Sequence, residues 1–490
     1  MKLFKKRLMF VSLFILLSCS LFGCTTSEQK LIKAAKIGDV SKVKQLIETG
    51  VNPNVTNNGG WTPLIFAAQK GYLEITRILI NNGADSNIKN SWRETALMYA
   101  VKRGDFKITR LLIDNGAKIK IEGDKGKTIL IYAAQGGNLK IIRLLIDKGA
   151  KIDSKDDNGN TVLMYSAQEG SSRITKILIN NGADISATNS NGETALVKAV
   201  KRGNFDVAKI LIGAGANINV IDKSGETLLM KAARLGNTEL VRTLIKAGLE
   251  INATNKKGTN VLMYAAEGGN LEVIRTLIEE GAKINTRNKN GETVLMKAAQ
   301  GGNLEVVRLL IKTGLNIDAR NRIGMNVLTY AVEGENSEIV KELIKTGSNI
   351  NVRTTDGWTP LMSAVSPPKK NPQEALKITR MLIEAGADVN ARDKFGVSVL
   401  LATQGMYSEI IKLLIEAGVD VNTADKDGIT LLMHAAVVGN SEAVKILIEN
   451  GADVNATSKD GLTALEISKK MLEDVRDKRI EKCVQLLKKK

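Results

Sequence analysis

A single histidine, His434, serves a chain of 490 residues, alongside only three cysteines and six prolines. One imidazole excludes nearly every histidine-based metal site or catalytic triad. Cys19, Cys24 and Cys483 are too few and too scattered for a disulfide framework or a clustered metal site. No Gly-rich phosphate loop ending in Gly-Lys-Ser/Thr, no His-Glu-x-x-His and no Gly-x-Ser-x-Gly occurs, so the chain reads as a non-enzyme with no cofactor and no metal. Aromatics make up only 4%, which leaves Leu, Ile, Val, Ala and Met to build the core. Acidic residues are short as well: 52 Asp and Glu against 70 Lys and Arg give a net charge of +18. Lys2, Lys5, Lys6 and Arg7 hold four of those charges, leaving +14 on the remainder. That excess either favours an anionic partner or surface, or simply follows from a Lys-, Ile- and Asn-rich composition.

With 43% apolar and 25% charged residues the chain suits a folded protein rather than a disordered one. Its N-terminus has a basic stretch, Met1 to Arg7, and then an almost continuously apolar run from Leu8 to Phe22. At fifteen residues that run is short of the roughly twenty needed to span a bilayer, and the layout is that of a secretory signal. The sequence Leu21-Phe22-Gly23-Cys24 resembles the bacterial lipobox, in which the cysteine is acylated and becomes the new N-terminus. Leu16-Leu17-Ser18-Cys19 is a second box. Cys24 is preferred because the longer apolar run then stays inside the signal. The resemblance implies a signal over 1–23, a short tether over 24–27 and lipid anchorage in the cell envelope, facing the periplasm or the cell surface. More than one acyl chain would make that anchorage stable.

Two series of glycines govern the rest. Gly71, Gly104, Gly137 and onward to Gly302 recur every 33 residues, and Gly50, Gly83, Gly116 and onward to Gly347 keep the same step. Gly60-Trp61-Thr62-Pro63-Leu64 and Gly357-Trp358-Thr359-Pro360-Leu361 begin such units, and Gly451-Ala452-Asp453-Val454-Asn455 ends one. This pattern resembles the ankyrin repeat. The resemblance implies an all-α repeat solenoid over 28–490: about fourteen helix–turn–helix units with hairpin loops, in one elongated curved array. The units run from near 28–57 and 58–90, through a long one at 355–393, to 459–490. Each part has a physical role. Thr95, Thr161 and Thr293 are placed to cap the first helix. The Ala pairs, such as Ala67-Ala68, let helices of neighbouring units approach closely. Gly71 and its equivalents end that helix in a left-handed turn. Six extra residues enter at Ser366–Pro372 and one is lost near Gly405, read either as loop drift or as a bend or binding loop.

Met98, Met164, Met230, Met263, Met296, Met362 and Met433 repeat once per unit, so they read as packing filler rather than converging copper ligands. The next position faces the concave groove in ankyrin folds. It holds Phe66, Tyr99, Tyr132, Tyr165, Lys198, Lys231, Tyr264, Lys297 and Tyr330. Further along the same helices lie Lys70, Lys102, Arg103, Lys201, Arg202 and Arg234. With Lys33 and Lys36, that face carries eleven basic residues against Glu169, Glu267 and Glu333. The expected contact surface is therefore Tyr99, Lys102, Arg103, Tyr132, Tyr165, Lys198, Lys201, Arg202, Lys231, Arg234, Tyr264, Lys297 and Tyr330, a mix rich in hot-spot residue types. On this reading the chain is a membrane-tethered, monomeric scaffold that binds a protein partner through this groove and the hairpin tips, without nucleic acid. An alternative makes the same basic face a recruiter of anionic envelope polymers or host molecules. Trp61 and Trp92 form either one apolar spot or local packing, Cys483 sits in an apolar stripe, and His434 falls at the groove position of its unit.

Overall fold

In the computed structural model, which describes residues 26–489, each unit opens its first, inner helix at a small polar residue. The cap side chain accepts a hydrogen bond from the amide three residues on: Thr62 from Ile65, Thr161 from Met164, Thr293 from Met296. Asn260, Asn326 and Ser398 do the same where threonine is missing. Thr95 departs from the expectation: its hydroxyl is buried without a partner and caps nothing. At the other end of the helix Gly71 (φ 82°), Gly104 (φ 77°) and Gly302 (φ 77°) adopt the left-handed turn that a side chain would strain. The expected signal over 1–23, and with it Cys19 and Cys24, lies outside the described residues.

Burial follows from that local geometry. Ala67, Ala68, Ala298 and Ala299 are fully buried, so inner helices of successive units stack closely; Ala96–Arg103 packs between Pro63–Lys70 and Ile129–Gly136. The second, outer helix buries Ile75 and Leu79 in one unit and their equivalents in the next. Each such side chain contributes about 1.5–3 kcal/mol. The methionine row is buried too, and Met230 and Met296 turn their sulfurs back to the cap amides at 3.5 and 3.4 Å. Twenty-eight α-helices among the described residues pair off two by two, which matches an all-α repeat solenoid of about fourteen units. The hairpins are reduced to single antiparallel bridges such as Ile221 to Thr227 and Arg287 to Thr293.

Asparagines tie each unit to the next. In one ladder Asn54 Nδ2 donates to Gly83 O (2.9 Å) while its Oδ1 accepts from Asp85 N (2.7 Å), and Asn87, Asn351 and Asn422 repeat the pattern. In a second ladder the outer-helix caps Asn138, Asn270 and Asn303 donate to the glycine carbonyl that ends the preceding inner helix. The chain forms two compact bodies, the first ending at Ile218 and the second running Asn219–Lys490.

The six extra residues shorten one inner helix to Pro360–Val365 and lengthen its outer partner to thirteen residues, Pro372–Glu384. The loop between them is pinned. Glu335 accepts from the amides of Lys370 (2.9 Å) and Asn371 (2.8 Å), and the Tyr407 hydroxyl accepts from Lys369 N (2.9 Å). Glu335 itself occupies a glycine slot at φ 53°. The missing residue near Gly405 leaves an inner helix of four residues, Val399–Ala402. At the C-terminus Arg476 takes the left-handed conformation that ends one helix, and a charged last helix follows over Lys478–Leu487. Cys483 is fully buried, and burial pushes its thiol up.

Candidate partner-binding face

Five residues separate the position just before the inner-helix cap from the position expected to face the groove, which brings both to the elbow between hairpin and helix. The tyrosines prove to be struts of that elbow. Tyr132 is 1% exposed, and Tyr99, Tyr264 and Tyr330 are buried as well; Tyr165 is half-buried. This corrects the expectation that groove positions stand outside the core. Their hydroxyls are committed too. Tyr132 donates to Glu94 (2.6 Å), Tyr264 to Glu226 (2.5 Å), Tyr330 to Glu292 (2.8 Å) and Tyr165 to Asp156 (2.8 Å), while Tyr99 accepts from Asn90 Nδ2 (3.1 Å).

The lysines at the same position are spent in ion pairs. Lys198 pairs with Glu193 at 3.5 Å, Lys297 with Glu292 at 3.1 Å, and Lys231 with Glu226 at 2.9 Å and with Asp222. A rule emerges. Lysine stands where its own unit carries the glutamate before the cap; where it does not, Tyr132, Tyr264 and Tyr330 reach back 38 residues to the preceding unit's acid and Tyr165 bonds Asp156 of its own hairpin. Tyr99, whose own unit holds Glu94, is the exception. The sequence carried this signal in the five-residue spacing of Gly-Glu-Thr to Lys, yet the glutamates were not singled out. Glu94 and Glu292 are buried, and a buried carboxylate stays ionised only when its partners compensate for lost hydration.

Electrostatics agree with that account. Burial and the hydrogen bond to Glu226 push the Tyr264 hydroxyl up to about 12. Burial works to raise Glu292, but the bonds from Asn288, Tyr330 and Lys297 more than offset it, so its carboxyl titrates below the ordinary glutamate. Glu226 is held low against its burial by Tyr264 and Lys231, and Asp222 well below the aspartate range by Lys231 and Ser224. A carboxyl whose folded value is depressed stabilises fully above its unfolded value, near 4.5 for glutamate, and that stabilisation is lost as pH falls through the folded value. Melting of the protein is therefore expected to fall steeply below roughly pH 4.5, and Glu292→Gln to flatten that fall. Melting curves that coincide above and below that pH would refute the account.

The residues left open are the basic ends of the inner helices. Lys102, Arg103, Lys201, Arg202 and Arg234 are exposed, where the helix C-terminus favours positive charge. Lys201 reaches Glu193 (2.5 Å), and Arg234 reaches Glu226 (3.1 Å) while stacking on the Tyr264 ring at 4.2 Å. Arg103 lies across Gly71 of the preceding unit, where a Cβ would stand 2.5 Å from its Nε. Lys102 and Arg202 have no ion-pair partner among the described residues. Lys198, Lys201 and Arg202 share one depression of about 330 Å³, and Tyr99 and Lys102 line another of about 290 Å³ with Trp92.

Trp61 and Trp92 do meet, edge to face at 5.7 Å. Trp61 also stacks on Phe66 (4.8 Å) and touches Tyr99 (5.0 Å), and Trp92 remains 56% exposed. His434 is partly buried, and burial lowers its pKa. Among the described residues no three His, Cys, Asp or Glu side chains gather as a metal would require.

A comparison with curated proteins found no match. Among solved structures the chain is similar to one in the complex of a predatory endopeptidase from Bdellovibrio bacteriovorus with an immunity protein. The identity is 34% and the TM-score 0.36, and the match covers 38% of this chain and 97% of that one. The family model for ankyrin repeats (three copies) matches residues 31–123, 119–189, 181–255, 229–321, 314–393 and 399–489. Matched along nearly its whole described length, the chain belongs to the ankyrin-repeat family.

Proposed function

We propose that this protein is a membrane-tethered scaffold that binds a protein partner through the exposed basic ends of its inner helices and the hairpins beside them. Ankyrin repeats imply protein partners. The observation that carries the choice of surface is that Lys102 and Arg202 are exposed without ion-pair partners, while Tyr99, Tyr132, Tyr264 and Tyr330 of the same face are buried. Trp92, more than half exposed next to Lys102, supplies an aromatic anchor of the kind that dominates interface energetics. The tether is the lipid on Cys24, with the protein acting as a monomer in the cell envelope.

One experiment addresses both parts. Cys24→Ala is expected to move the protein from the membrane fraction to the soluble one, or to leave an uncleaved precursor. Lys102→Glu, Lys201→Glu and Arg202→Glu together should lower melting only modestly, since these side chains are exposed and, of the three, Lys201 alone gives up an ion pair, to Glu193. They should slow association with a partner captured from membrane extract by about tenfold or more and weaken its salt dependence. Undiminished capture by the triple variant would sink the surface. Acylation that persists in the Cys24 variant and vanishes in Cys19→Ala would move the anchor.

A further inference from the structure

Three consecutive hairpins, those flanking the third and fourth repeats, break the pattern at positions that converge on one depression. Elsewhere the hairpin tip holds a left-handed glycine, as at Gly60, Gly159, Gly192 and Gly225. Between the second and third repeats the slot holds Arg93 at φ 60°, which costs a non-glycine residue about 1 kcal/mol or more. The ladder position occupied by Asn54, Asn87, Asn351 and Asn422 is Lys120, which makes no bond to the next hairpin among the described residues. Lys151 stands where Asp85, Asp184, Asp388 and Asp453 stand in other repeats. Arg93, Lys120 and Lys151 line a single depression of about 430 Å³ together with Lys89.

Lys89 is occupied, because its Nζ donates to Glu122 O at 3.2 Å, a hairpin-to-hairpin bond that Lys155 repeats with Thr188. Arg93, Lys120 and Lys151 have no ion-pair partner among the described residues, and Glu122 is the one carboxylate in the lining. Ile119 and Ile121 form an apolar wall beside them. Gathered cations repel one another, so this arrangement weakens the bare fold twice, through charge and through the lost ladder bond. What it gains is an unneutralised cationic cavity of ligand size. None of its lining residues belongs to the two depressions on the inner-helix face.

We propose that this cavity binds a small phosphate-bearing molecule. Its phosphate is held by the Arg93 guanidinium, which matches phosphate oxygens two at a time, and by the Lys120 and Lys151 ammonium groups. An apolar portion of the ligand lies against Ile119 and Ile121. The site stands independently of the partner-binding reading.

Inorganic pyrophosphate is the probe, titrated calorimetrically into the folded protein. Arg93→Gly with Lys120→Asn restores what other repeats carry, so this double variant is expected to melt higher than the parent without ligand. Its affinity for pyrophosphate should fall at least roughly tenfold, the loss of one to two charge-assisted bonds. Lys283→Asn, at the slot of Lys151 in another repeat, should leave affinity unchanged. Equal affinity in the double variant, an equal loss in the Lys283 variant, or no binding by the parent at millimolar pyrophosphate would each overturn the proposal. Retention by phosphatidylglycerol vesicles without pyrophosphate binding would also overturn it, in favour of a membrane surface.

Discussion

Tyr132→Ala should destabilise the first body by about 3–5 kcal/mol, the range for truncating a buried aromatic. The ring is 1% exposed, and its hydroxyl end packs over Gly123 beside the Met98 sulfur, where a Cβ on the glycine would stand 2.6 Å from the Tyr132 oxygen. Other hairpins carry an Asn or Asp at that slot, such as Asn90, Asp156 and Asn189, which folds the tip by accepting amides two and four residues on. Gly123 lacks that side chain, and the tyrosine fills the space. Truncation would open a cavity and also take a donor from the buried Glu94 carboxylate. Tyr132→Phe keeps the volume and removes only the 2.6 Å bond to Glu94, so it should cost about 1–3 kcal/mol. Hydrogen exchange of the helices Ile129–Gly136 and Ala96–Arg103 reads the loss locally, which suits a repeat array whose units need not unfold together. Lys102→Ala, on the exposed end of the same face, should stay within about 0.5 kcal/mol of the parent. Equal protection in the parent and in Tyr132→Ala would show the ring to be a surface contact after all.

The period of 33 made the helices, their order and their approximate number legible, because glycine positions, alanine pairs and cap residues each constrain a few neighbouring dihedrals. The basic ends at Lys102, Arg103, Lys201, Arg202 and Arg234 were legible for the same reason: three residues past a core position, a side chain on a last turn points to water. The burial of the tyrosines was not. It depends on a hydroxyl reaching an acid 38 residues earlier, and a periodic pattern assigns a face without saying how long side chains fold across it. Thr95 fits the cap position and still leaves its hydroxyl unpaired, which nothing in the surrounding geometry explains. The insertion at Ser366–Pro372 was visible as extra length, but not that Glu335 would anchor it from the preceding unit. Local rules were readable, whereas bonds spanning a full repeat needed the three-dimensional register.

Ending the chain after Ser458 should make the shortened chain aggregate. The residues lost form two helices, Ala464–Val475 and Lys478–Leu487, which pack on Leu431–Val438 and Ser441–Glu449. Ile480, Cys483, Val484 and Leu487 face inward and are buried, while Lys478, Arg479, Glu481 and Lys482 face solvent, so the last helix is apolar on one side and charged on the other. The fit is close: a Cβ on Gly439 would stand 2.7 Å from that of Arg479. Without this cover Ala435, Ala436, Val444 and Leu447, all fully buried, would lose much of their shielding from water. Three large inward side chains at about 1.5–3 kcal/mol each are comparable with the whole stability of a small domain. Repeat arrays keep terminal units with a polar outer face for this reason. Light scattering and size-exclusion chromatography of the shortened chain should show assemblies, and its melting should begin lower than that of the full chain. A milder variant, Leu487→Ala, should lower the onset of melting without aggregation, because the helix stays in place and loses one contact. Should the shortened chain stay monodisperse and melt with the full one, the stability of the preceding repeats would not depend on a C-terminal cap, and residues 459–490 would need another role.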